Sequence, residues 1–297
     1  MSLVIELNKL SQINKYKKEN LIETFIIGIE HLSLDSKLKL TIEETKKAIE
    51  LIHKNKKKVC INCNKVFHEN EIEQAKNIIN TIGIKNIDYL MFSDFGIYQT
   101  FKNDIEMIYY APTYLTNTKD VNAYQKIFKN VVISNQITVD ELKNIVNHND
   151  NNYIDVFGKN AIFYSKREIL TNYFLYKNQK YNPKAENYYL IEEYRTEKYP
   201  IIEDEFGFHL YEYGFYYLLE ELFDLNINNN DNKFIIHTNF LNKKESEEVI
   251  NVYVSYLKEQ ISLEKALELL HNLNLPIYKG AYDLKTVLLK SEVKTNA

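Results

Sequence analysis

The sequence has few cysteines, no long apolar run and no excess of basic residues. Cys60 and Cys63 are the only cysteines among 297 residues, which excludes a fold held together by several disulfides. No stretch approaches the roughly eighteen apolar residues of a membrane-spanning helix. The first ten residues, MSLVIELNKL, lack the basic and then apolar layout of a secretory signal. We therefore expect a soluble, cytoplasmic protein with no membrane contact.

The charge balance excludes a strongly basic field around the whole molecule. The formal net charge is −4 and the isoelectric point is about 6.0. Non-specific binding of nucleic acid is therefore not indicated, although a local basic face is compatible with this balance. Because 45% of the residues are apolar, the chain can bury a full core as one large domain or two small ones.

The two cysteines form a Cys-x-x-Cys pair inside a strand-like run, KVCINCN at 58–64. Metal-binding pairs of this spacing usually lie in turns, and no second Cys or His pair with zinc spacing occurs in the sequence. On a strand, Cys60 and Cys63 would point to opposite faces because side chains alternate with a period of two. We expect two buried structural thiols and no metal site.

Apolar runs of strand length alternate with amphipathic helical segments along the chain. Two of the helical segments begin with the spacing of a capping box, one at 41–44 and one at 138–141. The alternation breaks at 159–232 and then resumes. The predicted strands are 4–7, 24–29, 58–64, 87–92, 106–111, 131–133, 153–157 and 234–237.

The order of these segments predicts the fold class. Continuous apolar strands separated by amphipathic helices indicate a parallel sheet covered on its outer face. Eight such units in this length fit a (β/α)8 barrel better than an open doubly wound sheet, and no strand is followed by a GxGxxG or GxxxxGK loop. We predict an α/β fold with a single barrel domain over 1–297, an insertion at 159–232 after the seventh strand, and a tail at 272–297.

Candidate functional residues lie at the predicted mouth of the barrel, because chemistry in this fold occurs at the carboxyl ends of the strands. Glu30, Asn64, His68 and His237 lie at or just after such ends. His237 is the strongest candidate for a general acid or base by its position. His68 is a candidate for substrate binding, with mere closure of its loop as the alternative. The insertion would bring Ser-Lys-Arg at 165–167 over the mouth, where a basic pair can grip phosphate.

The insertion contains an acidic hairpin. The segment YPIIEDEFGFH at 199–209 reads as two short strands and a turn, because Gly207 supplies the positive φ that a tight turn needs. Glu203, Asp204 and Glu205 repel one another. They therefore form either a solvated tip or a cluster around a cation or a basic partner.

Two segments of the insertion resemble the U32 peptidase family. FYSKREILTNYF at 163–174 aligns with a Ser-Lys-Arg and an Asn-Tyr-Phe of that family, and the segment at 199–209 aligns with its Tyr-Pro, acidic pair, Gly and Thr-His. Weaker similarity covers 25–30, 59–68 and 277–287. The resemblance spans most of the chain, and the barrel-like core of that family agrees with the strand count.

The resemblance is closest to the short branch implicated in prephenate-dependent tRNA hydroxylation, which makes 5-hydroxyuridine at the wobble position. It implies tRNA as a partner and prephenate as a co-substrate. As a basic pair at the mouth, Lys166 and Arg167 are expected to contact phosphate or a substrate carboxylate, and Ser165 is a further expected substrate-binding residue. Asn172 and Tyr173 are expected to hold the insertion against the barrel.

The predicted catalytic set combines two residues of the acidic hairpin with His237, which is chosen by its position after the last barrel strand. Glu203, Asp204 and Glu205 are expected to organise the mouth hairpin, either by themselves or by pairing with Lys166 and Arg167. Glu203, Asp204 and His237 form the predicted catalytic residues.

The chain departs from the family pattern at several positions. Phe157 replaces a His, Ala161 replaces a Cys, and the sequence at 236–239 lacks the carboxylate of the last strand. Many members hold an iron–sulfur cluster on four cysteines, which two cysteines cannot supply. The resemblance therefore implies that no cofactor is bound by cysteines of this chain, and that it acts beside a longer, cysteine-bearing paralogue.

Two other functions stay open. One is a U32-type peptidase, although no Ser-His-Asp, Cys-His or HExxH arrangement is recognisable and the adjacent Ser165 and Lys166 would rarely face each other. The other is a non-catalytic barrel that binds tRNA or a partner protein.

Overall fold

Short buried strands alternate with helices in the computed structural model, which describes residues 1–182, 188–194, 196–226 and 231–283. The strands are β1 (Ser2–Glu6), β2 (Ile22–Ile29), β3 (Lys39–Leu40), β4 (Lys58–Cys63), β5 (Tyr89–Phe92), β6 (Glu106–Tyr109), β7 (Asn130–Ile133), β8 (Asn152–Gly158), β9 (Ala161–Ser165), β10 (Tyr188–Leu190), β11 (Tyr199–Asp204), β12 (Gly207–Tyr211), β13 (Phe215–Tyr217), β14 (Lys233–Ile236) and β15 (Ile277–Tyr278). The helices are α1 (Ser11–Tyr16), α2 (Ile42–Lys54), α3 (Glu69–Ile82), α4 (Phe95–Phe101), α5 (Thr118–Phe128), α6 (Val139–Val146), α7 (Ile169–Tyr176), α8 (Lys243–Leu257) and α9 (Leu263–His271).

Eight of these strands form a closed barrel in which all neighbours are parallel: β1, β2, β4, β5, β6, β7, β8 and β14. The barrel closes because β14 pairs with β8 on one side and with β1 on the other, so that Ile235 lies beside both Asp155 and Val4. The eight predicted strands are these eight. The predicted (β/α)8 fold is confirmed.

Side chains of the barrel strands divide between two apolar layers. The inner layer fills the barrel with one or two side chains from each strand, among them Ile26, Cys60 and Ile235. The outer layer packs against the helices and includes Cys63. The two thiols therefore lie on opposite faces of β4, as alternation predicts. Burial raises the pKa of both thiols, so they stay protonated and unreactive.

Capping boxes fix the starts of several outer helices. Thr41 accepts a hydrogen bond from the Glu44 backbone N–H while the Glu44 carboxylate accepts one from the Thr41 N–H. Thr138 and Glu141 form the same box at α6. Both predicted boxes are confirmed. Each satisfies backbone donors that would otherwise have no partner at the helix start.

The insertion forms a second, antiparallel sheet in the strand order β10-β11-β12-β9. The chain then returns to the barrel, where β13 lies antiparallel to β8 and β15 lies parallel to β13. The hairpin predicted at 199–209 corresponds to β11 and β12, with Asp204 opposite Gly207. Gly207 has φ 123°, and a Cβ there would lie 2.3 Å from the Ser165 carbonyl oxygen. A glycine is therefore needed both for the turn and for the approach of β9.

No helix within the described residues is long and apolar enough to cross a membrane. Of the predicted tail, residues 284–297 lie outside the described part of the chain.

Candidate active site

A cavity of about 350 Å³ lies at the carboxyl ends of the barrel strands. A neighbouring cavity of about 670 Å³ lies between the barrel and the inserted sheet. Asp35, Lys159 and Asn239 line both cavities. Glu6, Tyr110 and His237 line the first. These volumes suit a small organic ligand.

His237, directly after β14, is held between two buried carboxylates. Its Nδ1 lies 2.9 Å from Glu6 Oε2 at the end of β1, and its Nε2 lies 3.0 Å from Asp155 Oδ1 on β8. Because ionised carboxylates only accept hydrogen bonds, both ring nitrogens act as donors and the ring is an imidazolium. Burial alone would lower the pKa of His237, but the charge and hydrogen bond of Asp155, with those of Glu6, raise it to about 10.

The state of His237 limits its chemistry. With its pKa raised to about 10, the ring is a cation at pH 7. The imidazolium has no lone pair with which to accept a proton. His237 can supply a fixed positive charge or donate a proton, but it cannot act as a general base in this arrangement.

A chain of side-chain hydrogen bonds connects this charge to the insertion. Asn135 Nδ2 donates to Asp155 Oδ2 at 3.2 Å and to Asn160 Oδ1 at 2.8 Å, and Asn160 Nδ2 donates to Glu212 Oε2 at 3.3 Å. The ring of Tyr110 lies 5.7 Å from that of His237, and burial with nearby Asp155 raises the pKa of its phenol well above the ordinary value. Tyr110 is therefore a neutral wall of the cavity.

Lys159 places a second positive charge at the mouth. Its Nζ donates to the carbonyl oxygens of Glu212 at 3.0 Å and Tyr213 at 2.7 Å, and it lies 4.5 Å from the centre of the Phe215 ring. Burial lowers the pKa of Lys159 to about 8 although Glu212 opposes the change. Two of the three ammonium N–H groups are engaged. No other hydrogen-bond acceptor for this ammonium group lies among the described residues, so its third N–H can meet an anionic ligand.

Hydrogen-bond acceptors also line the first cavity. Asn62 on β4 and Asn239 each have a buried side-chain oxygen with no hydrogen-bond partner among the described residues. Such atoms are costly to bury unless a ligand or water pairs with them. On the other side of the mouth, the Tyr211 hydroxyl donates to Asp35, and burial raises the pKa of that carboxyl group.

Among the described residues, Glu203 and Asp204 of the acidic hairpin contact groups other than the expected Lys166 and Arg167. Glu203 Oε2 accepts a hydrogen bond from the Leu170 N–H at 2.6 Å, and Oε1 accepts one from the Thr171 N–H at 2.9 Å, so Glu203 caps the start of α7. Asp204 accepts from the Phe206 N–H at 2.9 Å and lies 3.7 Å from Lys39. The two carboxylates serve different parts of the fold.

Lys166 pairs instead with Glu71 on α3, at 2.9 Å. Glu71 also accepts from the His68 N–H at 2.6 Å and from Lys65 at 3.0 Å. Burial would raise the pKa of Glu71, but these three donors outweigh it and lower the pKa to about 2. Glu71 is thus a strong anchor for Lys166. The expected pairing with Glu203 and Asp204 is wrong because each acid has a nearer partner.

The other insertion residues expected to bind substrate or the barrel make local contacts or are exposed. Ser165 Oγ accepts from the Arg167 N–H at 3.1 Å, and the guanidinium of Arg167 is solvent-exposed. Asn172 Nδ2 donates to the Glu168 carbonyl of its own helix and Tyr173 is exposed. The expectation that Asn172 and Tyr173 hold the insertion against the barrel is therefore wrong.

Asn64 and His237 are the expected residues that line the first cavity, and Asp204 lines the second. Asn64 Oδ1 accepts from the Leu34 N–H at 2.9 Å. Glu30 and His68 are exposed, and His68 begins α3.

The charged residues Glu6, Asp35, Asp155 and Lys159 of the site were not expected from the sequence, and neither were Asn62 and Tyr110. Glu6 and Asp155 interrupt otherwise apolar barrel strands, and a charged residue in a buried parallel strand is a signal that could have identified them. Lys159 follows the seventh barrel strand directly. Asp35 has no comparable signal.

The cysteines do not fit the iron–sulfur cluster that the resemblance implies for many relatives. Cys60 and Cys63 are buried on opposite faces of β4, so they cannot ligate one cluster. Within the described ranges, no three His, Cys, Asp or Glu side chains are placed to hold a metal ion.

Comparisons with known proteins give one matching family model and similar curated proteins. The sequence model of Peptidase family U32 matches residues 11–279. The chain is 25% identical over 210 residues to tRNA hydroxylation protein P2 of Bacillus subtilis, which covers 68% of each protein. It is 26% identical over 155 residues to the uncharacterized protease MJ0090 of Methanocaldococcus jannaschii, covering 49% of this chain and 38% of that protein.

A solved structure shows the same fold. The U32 peptidase Mk0906 superposes with a TM-score of 0.50 at 10% sequence identity, over 80% of this chain and 92% of that one. At this identity the likeness concerns the fold alone.

Proposed function

The chain belongs to peptidase family U32, and we propose that within this family it acts in tRNA hydroxylation. In this proposal it takes part in the prephenate-dependent conversion of wobble uridine to 5-hydroxyuridine. The observation that carries the proposal is the similarity to tRNA hydroxylation protein P2, which extends over 68% of both chains.

The barrel mouth supplies binding groups for a small acid such as prephenate. The ammonium group of Lys159 would hold a carboxylate through its remaining N–H. The oxygens of Asn62 and Asn239 would accept hydrogen bonds from a hydroxyl or N–H of a bound molecule. The charge of His237 is offset by Glu6 and Asp155, so His237 would hold these two carboxylates in place at the mouth rather than bind the acid itself.

The proposal assigns this chain a place in a complex with a cysteine-bearing member of the family. Its own thiols are buried and protonated, so the redox step is assigned to the complex rather than to residues of this barrel. This chain would bind and orient the substrates. Glu203 and Asp204 would position the insertion over the mouth through the cap of α7 and the contact with Lys39.

The geometry does not favour peptide hydrolysis. A Ser-His mechanism needs a neutral imidazole beside the nucleophile, whereas both nitrogens of His237 are committed to carboxylates. A Ser-Lys pair at 165–166 is not formed either, because Lys166 bonds Glu71 and Ser165 bonds the Arg167 backbone.

Nucleoside mass spectrometry of tRNA from cells with and without the gene tests the proposal. We expect 5-hydroxyuridine and its derivatives to disappear in the deletion strain and to return with the gene. An unchanged nucleoside profile in the deletion strain would contradict the proposed function.

A further inference from the structure

Exposed apolar side chains are concentrated in one part of the molecule. Of the 16 large hydrophobic side chains that are exposed among the described residues, 11 lie within 162–202. Monomeric proteins rarely expose apolar side chains in such a concentration unless the surface binds something. The insertion therefore presents an interaction surface as well as a cover for the barrel mouth.

Helix α7 exposes large aromatic side chains along one face. Leu170 is its buried residue, whereas Tyr173 and Tyr176 are 53% and 81% exposed. With Ile169 they follow the i, i+4, i+7 spacing of one helix face. Lys177 Nζ lies 5.9 Å from the centre of the Tyr173 ring and 5.8 Å from that of Tyr176. The surface is thus a cation placed between two exposed aromatic rings.

The local charge has the opposite sign to that of the whole molecule. Residues 161–182 contain four cations and one carboxylate, Glu168, within a chain of net charge −4. Lys166 is paired with Glu71. Arg167, Lys177 and Lys180 are exposed at the two ends of α7. The sequence balance allowed a local basic face, and the segments on either side of α7 supply the cations for one.

We propose that Tyr173 and Tyr176 of α7, together with Lys177 and Lys180 of the segment that follows the helix, form an α7 platform that binds single-stranded RNA by stacking bases on the tyrosines. Proteins recognise unpaired RNA by stacking bases on aromatic rings while nearby cations neutralise phosphates. The platform deepens the proposed function and rests on it, because it names the surface that holds the unpaired part of the RNA.

The cations favour RNA over a protein as the occupant of this face. Protein interfaces are enriched in tyrosine but depleted in lysine at their centres, whereas Lys177 lies between the two exposed rings. A lysine in that place complements a phosphate that links two stacked bases.

Binding of a fluorescein-labelled oligouridylate to the purified chain, followed by anisotropy, tests the platform. We expect Y173A/Y176A to weaken binding at least about tenfold, since each stacked base contributes substantially to affinity. Y173F/Y176F should bind like the wild type because it keeps both rings. The control variant K126Q/I127A removes an exposed cation and an exposed apolar side chain on α5, and it should bind normally.

The salt dependence provides a second readout. K177Q/K180Q should lower the slope of log affinity against log salt concentration by about 1.4, since each cation that neutralises a single-strand phosphate contributes about 0.7. K126Q/I127A should leave that slope unchanged. Thermal unfolding of every variant verifies that the fold is retained.

Three results would overturn the platform. The wild type does not bind the RNA, or Y173A/Y176A binds the RNA as tightly as the wild type does. The third result is that Y173A/Y176A no longer binds the cysteine-bearing partner while its RNA binding is unchanged. The proposed function is tested separately. If deletion of the gene leaves 5-hydroxyuridine intact while RNA binding still depends on the tyrosines, the function fails and the platform stands. If deletion removes the nucleoside and Y173A/Y176A restores it fully, the function stands and the platform fails.

Discussion

The charge of His237 is set by its two neighbours rather than by the imidazole itself. Glu6 and Asp155 hold the ring as a cation and raise its pKa to about 10, from an ordinary value of 6.5. The folded state therefore binds this proton more tightly than the unfolded chain does. The resulting stabilisation is complete below about pH 6.5 and is lost as the pH rises through about 10.

Replacing His237 should remove this pH dependence. Between pH 6.5 and 9.5 the wild type should lose roughly 3 kcal/mol of unfolding free energy that H237Q does not lose. At pH 6.5, H237Q should be less stable by roughly 3–5 kcal/mol because two buried carboxylates lose their partner. Urea unfolding at both pH values measures these differences.

The surface residue His53, which contacts Asp88 at 2.8 Å, provides the control. H53Q should unfold with nearly the wild-type pH dependence. Equal pH dependence in the wild type and H237Q would show that His237 is not the cation described above.

Lys159 should govern the affinity of the mouth for carboxylates. Calorimetric titration with prephenate should show at least about tenfold weaker binding by K159M, since a charge-assisted hydrogen bond is lost. Wild-type affinity should fall as the pH rises through about 8, where Lys159 loses its proton. K198M removes a lysine from the neighbouring cavity only and should bind prephenate normally. Equal affinities of K159M and K198M would contradict this role.

At the scale of elements, α7 depends on a carboxylate from another strand. Glu203 accepts hydrogen bonds from two backbone N–H groups at the start of the helix. E203A should therefore destabilise α7 locally by about 1–2 kcal/mol, seen as faster amide hydrogen exchange from the helix. E205A removes the neighbouring carboxylate, which lies 3.5 Å from His31, and should leave that exchange unchanged. Unchanged exchange in E203A would show that the cap contributes nothing.

The sequence predicts the elements well where the causes are local. The eight barrel strands follow from apolar runs, and the starts of α2 and α6 follow from Thr and Glu three residues apart. The partners of Lys166 and Glu203 were not predictable in this way. Lys166 meets Glu71 across 95 positions of sequence, and that contact depends on how the inserted sheet lies on the barrel.

The same limit applies to the candidate site. His237 could be placed from its strand, but its charge depends on Glu6 and Asp155, which are 231 and 82 positions away. Barrel closure between β1, β8 and β14 brings these residues together. A sequence pattern indicates the barrel. The contacts of His237 with Glu6 and Asp155 follow only from the closed barrel.

At the scale of the whole molecule, the chain has a ligand-sized mouth but no cysteines suited to a cluster. The purified chain alone should therefore not hydroxylate tRNA when prephenate is supplied. Adding the cysteine-bearing family member should restore the reaction, measured by nucleoside mass spectrometry of the product. Hydroxylation by this chain alone would contradict the assignment of the redox step to a complex.

The most direct test of the account is complementation of the deletion strain with single variants, with 5-hydroxyuridine in tRNA as the readout. The account predicts that K198M restores the modified nucleoside and that K159M, at equal protein level, restores little or none. Full restoration by K159M would contradict the claim that the mouth of this barrel supports tRNA hydroxylation.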